Sequence, residues 1–195
     1  MTSKPGERKL QILQTVAQML EQPKGEKITT AALAARLDLS EAALYRHFAS
    51  KAQIFEGLIE FIEQTVFGLI NKITQDEKNG VQQVEAIVSM LLGFAQKNRG
   101  MVRVLIGDAL VNEDVRLQQR INQLLDRIEA TLKQSLRMAA TQGELGGLTD
   151  VSAHANLMVC YVLGRWTQFA KSGFLRDPML QWSPQIDILL KNNRE

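Results

Sequence analysis

The stretch ITTAALAARLDLSEAALYRHF, which covers residues 28–48, determines the fold of this chain. Its apolar side chains recur three or four positions apart on both sides of Asp38-Leu39, which is the spacing of two short helices that meet at a tight turn. These apolar residues are Leu33, Ala34, Leu37, Leu39, Leu44 and Phe48. The stretch therefore predicts a helix-turn-helix with a small shared core.

Hydroxyl residues mark the points where both helices begin. Ser40 precedes the second helix, where its hydroxyl can accept a hydrogen bond from a free backbone N–H group, and Glu41 then lies at the positive end of the helix dipole. We expect Thr29 or Thr30 to cap the first helix in the same way. An amphipathic helix over residues 7–21 is expected to pack across both helices and complete the domain.

The remaining positions of the second helix carry side chains that suit a DNA surface. Small residues at the start of a helix let its backbone approach the groove, and Tyr, Arg and His can donate hydrogen bonds to phosphates. The exposed positions are Glu41, Ala42, Ala43, Tyr45, Arg46 and His47. Periodicity alone fits an ordinary solvated helix face equally well, so the residue types by themselves leave the function open.

The string LYRHFASK, residues 44–51, resembles the end of the DNA-binding domain in the TetR family of transcriptional regulators. There it joins the recognition helix to a long helix. The resemblance implies contacts to the DNA backbone from the positions of Thr29, Thr30, Tyr45, His47 and Lys51. It also implies that Ser40, Glu41, Ala42, Ala43 and Arg46 lie at or near the base edges. Asp38 stands where the family usually has Gly, and we expect a positive φ there, which Asp tolerates.

The composition favours a helical protein with a sizeable core. Hydrophobic residues make up 45% of the 195 positions, aromatic residues 6%, and there are only 4 Pro. The chain has no uncharged apolar run of about 18 residues. It also lacks the apolar segment of a signal peptide at its N-terminus. We therefore expect a cytoplasmic protein that does not span a membrane.

Charge is distributed unevenly along the chain. Residues 1–55 hold eight Lys or Arg against five Asp or Glu, whereas the remainder holds 15 against 16. The basic end coincides with the predicted helix-turn-helix, as neutralisation of DNA phosphates requires. An excess of this size supports DNA binding only weakly.

The rest of the chain predicts further helices, about nine in all, and an all-α fold. We expect a long helix over residues 51–75, with Ser50 and Gln53 forming a capping box at its start. Further helices are expected over 81–98, within 101–106, from 117 to Gly143, from Thr149 or Asp150 to about 171, and over 185–190. The TetR resemblance implies a DNA-binding domain at residues 1–50 and a helical regulatory, dimerisation and partner-binding domain at residues 51–195.

The two long helices after residues 117 and 149 are apolar over much of their circumference. Such helices lie at the centre of a body or against a second subunit. The resemblance implies a homodimer built through a four-helix bundle. A symmetric dimer would hold two recognition helices about 34 Å apart, which predicts palindromic DNA sites and allows more than one dimer per site.

Residue patterns for catalysis or metal binding are missing from the sequence. His47 and His154 are far apart in the sequence and there is no Cys pair, so we expect no zinc site. Cys160 stands alone in an apolar run and is expected to be a buried, inert thiol. Gly143, Gly146 and Gly147 lack the context of a phosphate-binding loop. We therefore expect neither an enzyme nor a cofactor.

The body of the chain is similar to one branch of the TetR family, the nucleoid occlusion factors, through strings such as LIEFIE at 58–63 and RINQL at 120–124. This implies a protein that binds palindromic sites over the chromosome and, on DNA, blocks assembly of the tubulin-like division protein FtsZ. The implied FtsZ-binding positions are Phe61, Met90, Gly93, Lys97 and Asn98, with Leu69 where the branch has a basic residue.

Two alternatives stay open at this point. Phe61 and Met90 fit plain core packing equally well, whereas Gly93 costs its helix about 1 kcal/mol relative to Ala, which suggests a close approach. A ligand-responsive TetR-type repressor is the alternative function. It would need a small-molecule pocket in the body, whereas a nucleoid occlusion factor requires no small-molecule ligand.

Overall fold

The computed structural model describes residues 5–22, 28–145 and 150–191. Within these ranges the regular structure is entirely helical and contains no strand, which confirms the predicted all-α class. The helices are α1 (Pro5–Leu20), α2 (Thr30–Arg36), α3 (Glu41–Tyr45), α4 (Lys51–Asp76), α5 (Gly80–Lys97), α6 (Arg99–Leu105), α7 (Val115–Thr141), α8 (Val151–Lys171) and α9 (Trp182–Lys191), with a 3₁₀ turn at Asp108–Leu110. The predicted turn at Pro23-Lys24-Gly25 and the residues Gly146, Gly147 and Thr149 lie outside the described residues.

The chain forms two compact units. The first takes residues up to Glu63 together with Asn98–Ile121, and the second takes Gln64–Lys97 together with residues from Asn122 onward. The first unit thus contains the helix-turn-helix, the start of α4, α6 and the start of α7.

Close packing of α1 against α6 builds the core of the first unit. The α1 residues Ile12, Val16 and Ala17 are buried, as the sequence pattern predicts. Gly100 of α6 approaches so near to α1 that an added Cβ would lie 1.8 Å from the carbonyl oxygen of Ala17. Leu10, which the apolar spacing of residues 7–21 predicts to be buried as well, is 40% exposed.

Helices α5, α7 and α8 supply the core of the second unit. The indole of Trp166 in α8 is fully buried and its Nε1–H donates to the carbonyl oxygen of Leu91 in α5 at 3.0 Å. Gln83 of α5 and Ser135 of α7 are also buried, and the Ser135 hydroxyl donates to Gln83 Oε1 at 2.8 Å. The buried polar groups of Trp166, Gln83 and Ser135 therefore all have partners, as a packed interior requires.

Three expectations from periodicity are wrong. Cys160 is exposed, because the buried stripe of α8, which contains Met158, Val162 and Trp166, lies on the opposite side of the helix. Leu69 of α4, which the apolar spacing of the long helix predicts to be buried, is 41% exposed, since a periodic pattern identifies a helix face but not how far along the helix that face is covered. The outer side of α7 is polar rather than apolar.

The last helix begins at Trp182, three residues before the predicted start. Pro184 lies in its first turn, where a missing N–H group removes no helical hydrogen bond. Proline there is compatible with the helix, although it was expected to lie in the preceding loop.

None of the helices in the described parts of the chain combines the length and the apolar character needed to cross a bilayer. The same residues contain no cluster of three or more His, Cys, Asp or Glu side chains arranged to hold a metal ion.

Candidate nucleic-acid interface

The helix-turn-helix is formed by α2 and α3 around the core that the sequence predicts. Leu33 and Leu44 are fully buried, and Ala34, Leu37 and Phe48 are at most 9% exposed. Leu39 of the turn is half-buried, and its N–H donates to the carbonyl oxygen of Ala34 at 2.9 Å. The turn is therefore held by backbone as well as by side chains.

Both predicted N-caps are present. Thr29 caps α2, with its hydroxyl oxygen accepting from the N–H of Ala32 at 3.1 Å. Ser40 caps α3 in the same way, accepting from the N–H of Ala43 at 3.1 Å. Asp38 between them has a φ of 53°, which confirms the positive φ expected at this position.

Most of the predicted DNA-contacting residues lie on one exposed face. Thr29, Ser40, Glu41, Ala42, Tyr45 and Arg46 are exposed, and Thr30, Ala43, His47 and Lys51 are half-buried. The structure thus brings the first turn of α2 and the whole of α3 together at the surface. The small side chains of Ala42 and Ala43 leave the α3 backbone accessible there.

A hydrogen-bonded chain of three of these residues links α2 to α3. The Thr30 hydroxyl donates to Glu41 Oε2 at 2.6 Å, and the Tyr45 hydroxyl is 3.5 Å from Thr30 Oγ1, at the limit of a hydrogen bond. This link fixes the Glu41 carboxylate at the N-terminus of α3. Sequence reasoning missed it, because each residue was considered for its own contact to DNA.

Lys51 stands at the start of α4, directly after the cap residue Ser50. Ser50 Oγ accepts from the N–H of Gln53 at 3.2 Å, as expected. The Gln53 side chain reaches back to the N–H of Ala49 at 2.8 Å rather than to that of Ser50, one residue beyond the usual capping box. The start of α4 is therefore fixed by two side chains.

The Lys51 ammonium forms an ion pair with the carboxylate of Glu113, and it also lies 5.7 Å from the centre of the Phe55 ring. Glu113 belongs to the short segment between the 3₁₀ turn and α7. The two residues are 62 positions apart, and no local pattern in the sequence pairs them. Glu113 is therefore a residue of the site that sequence reasoning did not find.

The next carboxylate, Asp114, has a partner of its own. The Arg116 guanidinium donates to it at distances down to 2.6 Å and lowers the pKa of Asp114 from 3.8 to about 2. A stabilising effect of this pair is present above the ordinary pKa of Asp and is lost as the pH falls toward 2.

The predicted FtsZ-binding residues are divided between the two units. Phe61 and Asn98 belong to the first unit, where both are half-buried; Met90, Gly93 and Lys97 are in α5 of the second unit. Phe61 and Met90 are therefore not full core residues. An added Cβ at Gly93 would meet no heavy atom of the described residues within 4 Å, so packing within the chain does not explain this glycine.

Comparison with known proteins identifies the family models that the chain matches. Residues 17–58 match the family model "Bacterial regulatory proteins, tetR family", which includes the helix-turn-helix. Residues 78–194 match the model "Tetracyclin repressor-like, C-terminal domain". A TetR transcription regulator from Haloarcula marismortui has the same fold, with a TM-score of 0.81 at 12% identity over 96% of this chain and 98% of that one.

Curated relatives are much closer in sequence. The chain is 47% identical to nucleoid occlusion factor SlmA of Marinomonas sp. over 192 residues, which are 98% of each protein. It is 49% identical to nucleoid occlusion factor SlmA of Alteromonas mediterranea over 91% of each protein. The chain therefore belongs to the SlmA family of nucleoid occlusion factors, whose DNA-binding domain is of the TetR type.

Proposed function

We propose that this nucleoid occlusion factor, when bound to palindromic chromosomal sites, inhibits assembly of the FtsZ ring over the nucleoid. The observation that carries the proposal is the identity of 46–49% to nucleoid occlusion factors over nearly the full chain. The exposed helix-turn-helix supplies the DNA-binding half of the mechanism. Division is thereby delayed until the chromosome has moved away from the division site.

The DNA-binding half is assigned to residues 1–50 and the start of α4. In this assignment the side chains of Thr29, Thr30, Tyr45, His47 and Lys51 contact the DNA backbone. The residues near the base edges are Ser40, Glu41, Ala42, Ala43 and Arg46. These roles are the ones that the TetR resemblance implies, in which the start of the recognition helix enters the major groove while its surroundings face phosphates.

The partner-binding half is assigned to residues 51–195, with FtsZ contacting Phe61, Met90, Gly93, Lys97 and Asn98. The open space beside Gly93 supports this assignment, since a helical glycine with no close neighbour in its own chain leaves room for a bound segment. Leu69 of α4 is exposed and offers an apolar contact where the nucleoid occlusion branch has a basic residue.

We also propose that the protein acts as a nucleoid-associated homodimer in the cytoplasm, with room for more than one dimer per site. The exposed apolar side chains of Leu157 in α8 and Ile188 in α9 support a buried subunit interface there. The ligand-responsive repressor is not favoured. The curated relatives at 46–49% identity are nucleoid occlusion factors.

FtsZ polymer sedimentation tests the proposal. FtsZ is polymerised with GTP, and the protein is added alone, with a palindromic duplex selected by this protein from a random pool, or with a scrambled duplex. We expect less polymer in the pellet, and the largest loss with the palindromic duplex. Unchanged polymer at concentrations where DNA binding is complete would overturn the proposal.

A methyl group added at Gly93 tests the FtsZ-binding half of the proposed mechanism. Gly93→Ala is expected to abolish most of the loss of polymer while leaving DNA binding unchanged, because the Cβ enters the proposed FtsZ contact. Gly6→Ala is the matched control, since a Cβ added to this α1 residue also lies more than 4 Å from every other heavy atom counted in the described residues. If both variants inhibit FtsZ as the unchanged protein does, Gly93 does not contact the partner.

A further inference from the structure

Lys51, the proposed phosphate contact at the start of α4, already holds an anion within its own chain. Its ammonium pairs with the Glu113 carboxylate, and the two side chains are 23% and 14% exposed. The pair is thus partly shielded from water, where an ion pair is stronger than on an open surface.

The position of the Glu113 carboxylate is fixed by the backbone around it. The N–H of Glu113 donates to the carbonyl oxygen of Leu110 at 3.0 Å, and Leu110 itself is buried. Asn112 just before it has a φ of 66°, which turns the chain at this point. The neighbouring Asp114 carboxylate forms an ion pair with Arg116. The carboxylate of this segment that pairs with Lys51 is therefore that of Glu113.

A DNA phosphate and the Glu113 carboxylate compete for the same ammonium group. If Lys51 turns to the phosphate, the partly shielded Glu113 carboxylate is left without its partner, which costs free energy. If Lys51 contacts both groups, the phosphate lies close to a second negative charge. Either arrangement weakens DNA binding relative to a free lysine.

We propose that Glu113 is an autoinhibitory counter-charge that lowers the affinity of the protein for DNA by occupying Lys51. The inference rests on the proposed role of Lys51 as a contact to the DNA backbone. Because that contact is to phosphate, the effect is independent of sequence and applies to palindromic and random duplexes alike.

Removal of the charge has two expected effects. Glu113→Gln keeps the shape of the side chain and releases Lys51, which should tighten binding by about 2- to 5-fold at low salt, as for a partly exposed ion pair. The salt dependence should also become steeper, by up to about 0.9 in the slope of log K against log [salt], because one more net positive charge displaces DNA counterions.

The test is a double-mutant cycle on the full-length protein, with binding to the selected palindromic duplex and to a random duplex measured by fluorescence anisotropy at several salt concentrations. The variants are Glu113→Gln, Lys51→Ala and the two combined. Asp114→Asn is the matched control, since it removes the same charge one position away and releases Arg116 instead of Lys51. Thermal unfolding of each variant verifies that it is folded.

The proposal predicts tighter binding for Glu113→Gln, weaker binding for Lys51→Ala and no effect of Glu113→Gln once Lys51 is absent. If Lys51→Ala weakens binding but Glu113→Gln does not tighten it, the autoinhibitory contact is refuted and the DNA contact stands. Equal tightening with and without Lys51, or by Asp114→Asn, would mean general charge repulsion and also refute it. If Lys51→Ala has no effect, the proposed phosphate contact itself fails.

Discussion

Ser40 combines a structural and a functional role in one hydroxyl group. Its oxygen accepts the hydrogen bond that caps α3, while the exposed side chain lies at the end of the helix assigned to the DNA groove. An accepting oxygen is needed for the cap, but a negative charge is unfavourable beside phosphates. Substitutions at this residue therefore separate the two roles.

Replacing Ser40 by Ala should lower the free energy of unfolding by about 1 kcal/mol, because the N–H of Ala43 loses its acceptor. Ser40→Asp retains an acceptor and should leave stability nearly unchanged, yet weaken DNA binding more than Ser40→Ala. Urea unfolding and fluorescence anisotropy measure the two quantities. Tight DNA binding by Ser40→Asp would place the start of α3 away from the duplex.

At the scale of the helix, the effect of replacing a glycine depends on which atoms the packing of the helices places beside it. Gly100 of α6 touches the backbone of α1, whereas Gly93 of α5 faces open space in the described chain. Neither glycine has a positive φ, so the backbone conformation itself does not disfavour an alanine at either position. The atoms around each glycine therefore decide whether an alanine stabilises or destabilises the protein.

The same substitution should therefore have opposite effects on the two helices. Gly100→Ala forces α6 away from Ala17 and is expected to destabilise the protein by about 1–3 kcal/mol or more. Gly93→Ala should stabilise it by about 0.5–1 kcal/mol through helix propensity. Thermal and urea unfolding measure both. A Gly100→Ala variant as stable as the unchanged protein would contradict the close packing of α1 against α6.

Local chemistry explains how much of these elements could be predicted. The caps at Thr29 and Ser40 depend on neighbouring residues, so the sequence identifies them, and the positive φ at Asp38 was expected from the TetR resemblance. The pair of Lys51 with Glu113 and the exposure of Cys160 depend on which distant segments meet. A single sequence holds no information on such contacts once helical periodicity has been used.

At the scale of the whole molecule, α8 presents apolar side chains to solvent on the side away from its core. Leu157 is 49% exposed, and Cys160, one turn on, is exposed as well. The sequence predicted that such a helix would lie at the centre of the body or against a second subunit, and the exposed apolar side of α8 favours the second of these positions. The assembled dimer itself stays a prediction.

Leu157→Glu should convert the proposed dimer into monomers, because a charge in an apolar interface is left without a partner. Sedimentation velocity should then give a mass near 21.9 kDa instead of about twice that value. Val115→Glu is the matched control, since Val115 is 68% exposed at the start of α7 in the first unit. A Leu157→Glu protein that keeps the wild-type mass would exclude this face as the interface.

Simultaneous binding of DNA and FtsZ by one molecule is the central claim, and sedimentation velocity with a fluorescent palindromic duplex measures it directly. FtsZ without GTP is added to the protein on labelled DNA. We predict that the DNA label sediments faster when FtsZ is present, and that FtsZ alone does not shift the label. A sedimentation coefficient that stays unchanged, or DNA released from the protein by FtsZ, would contradict the claim.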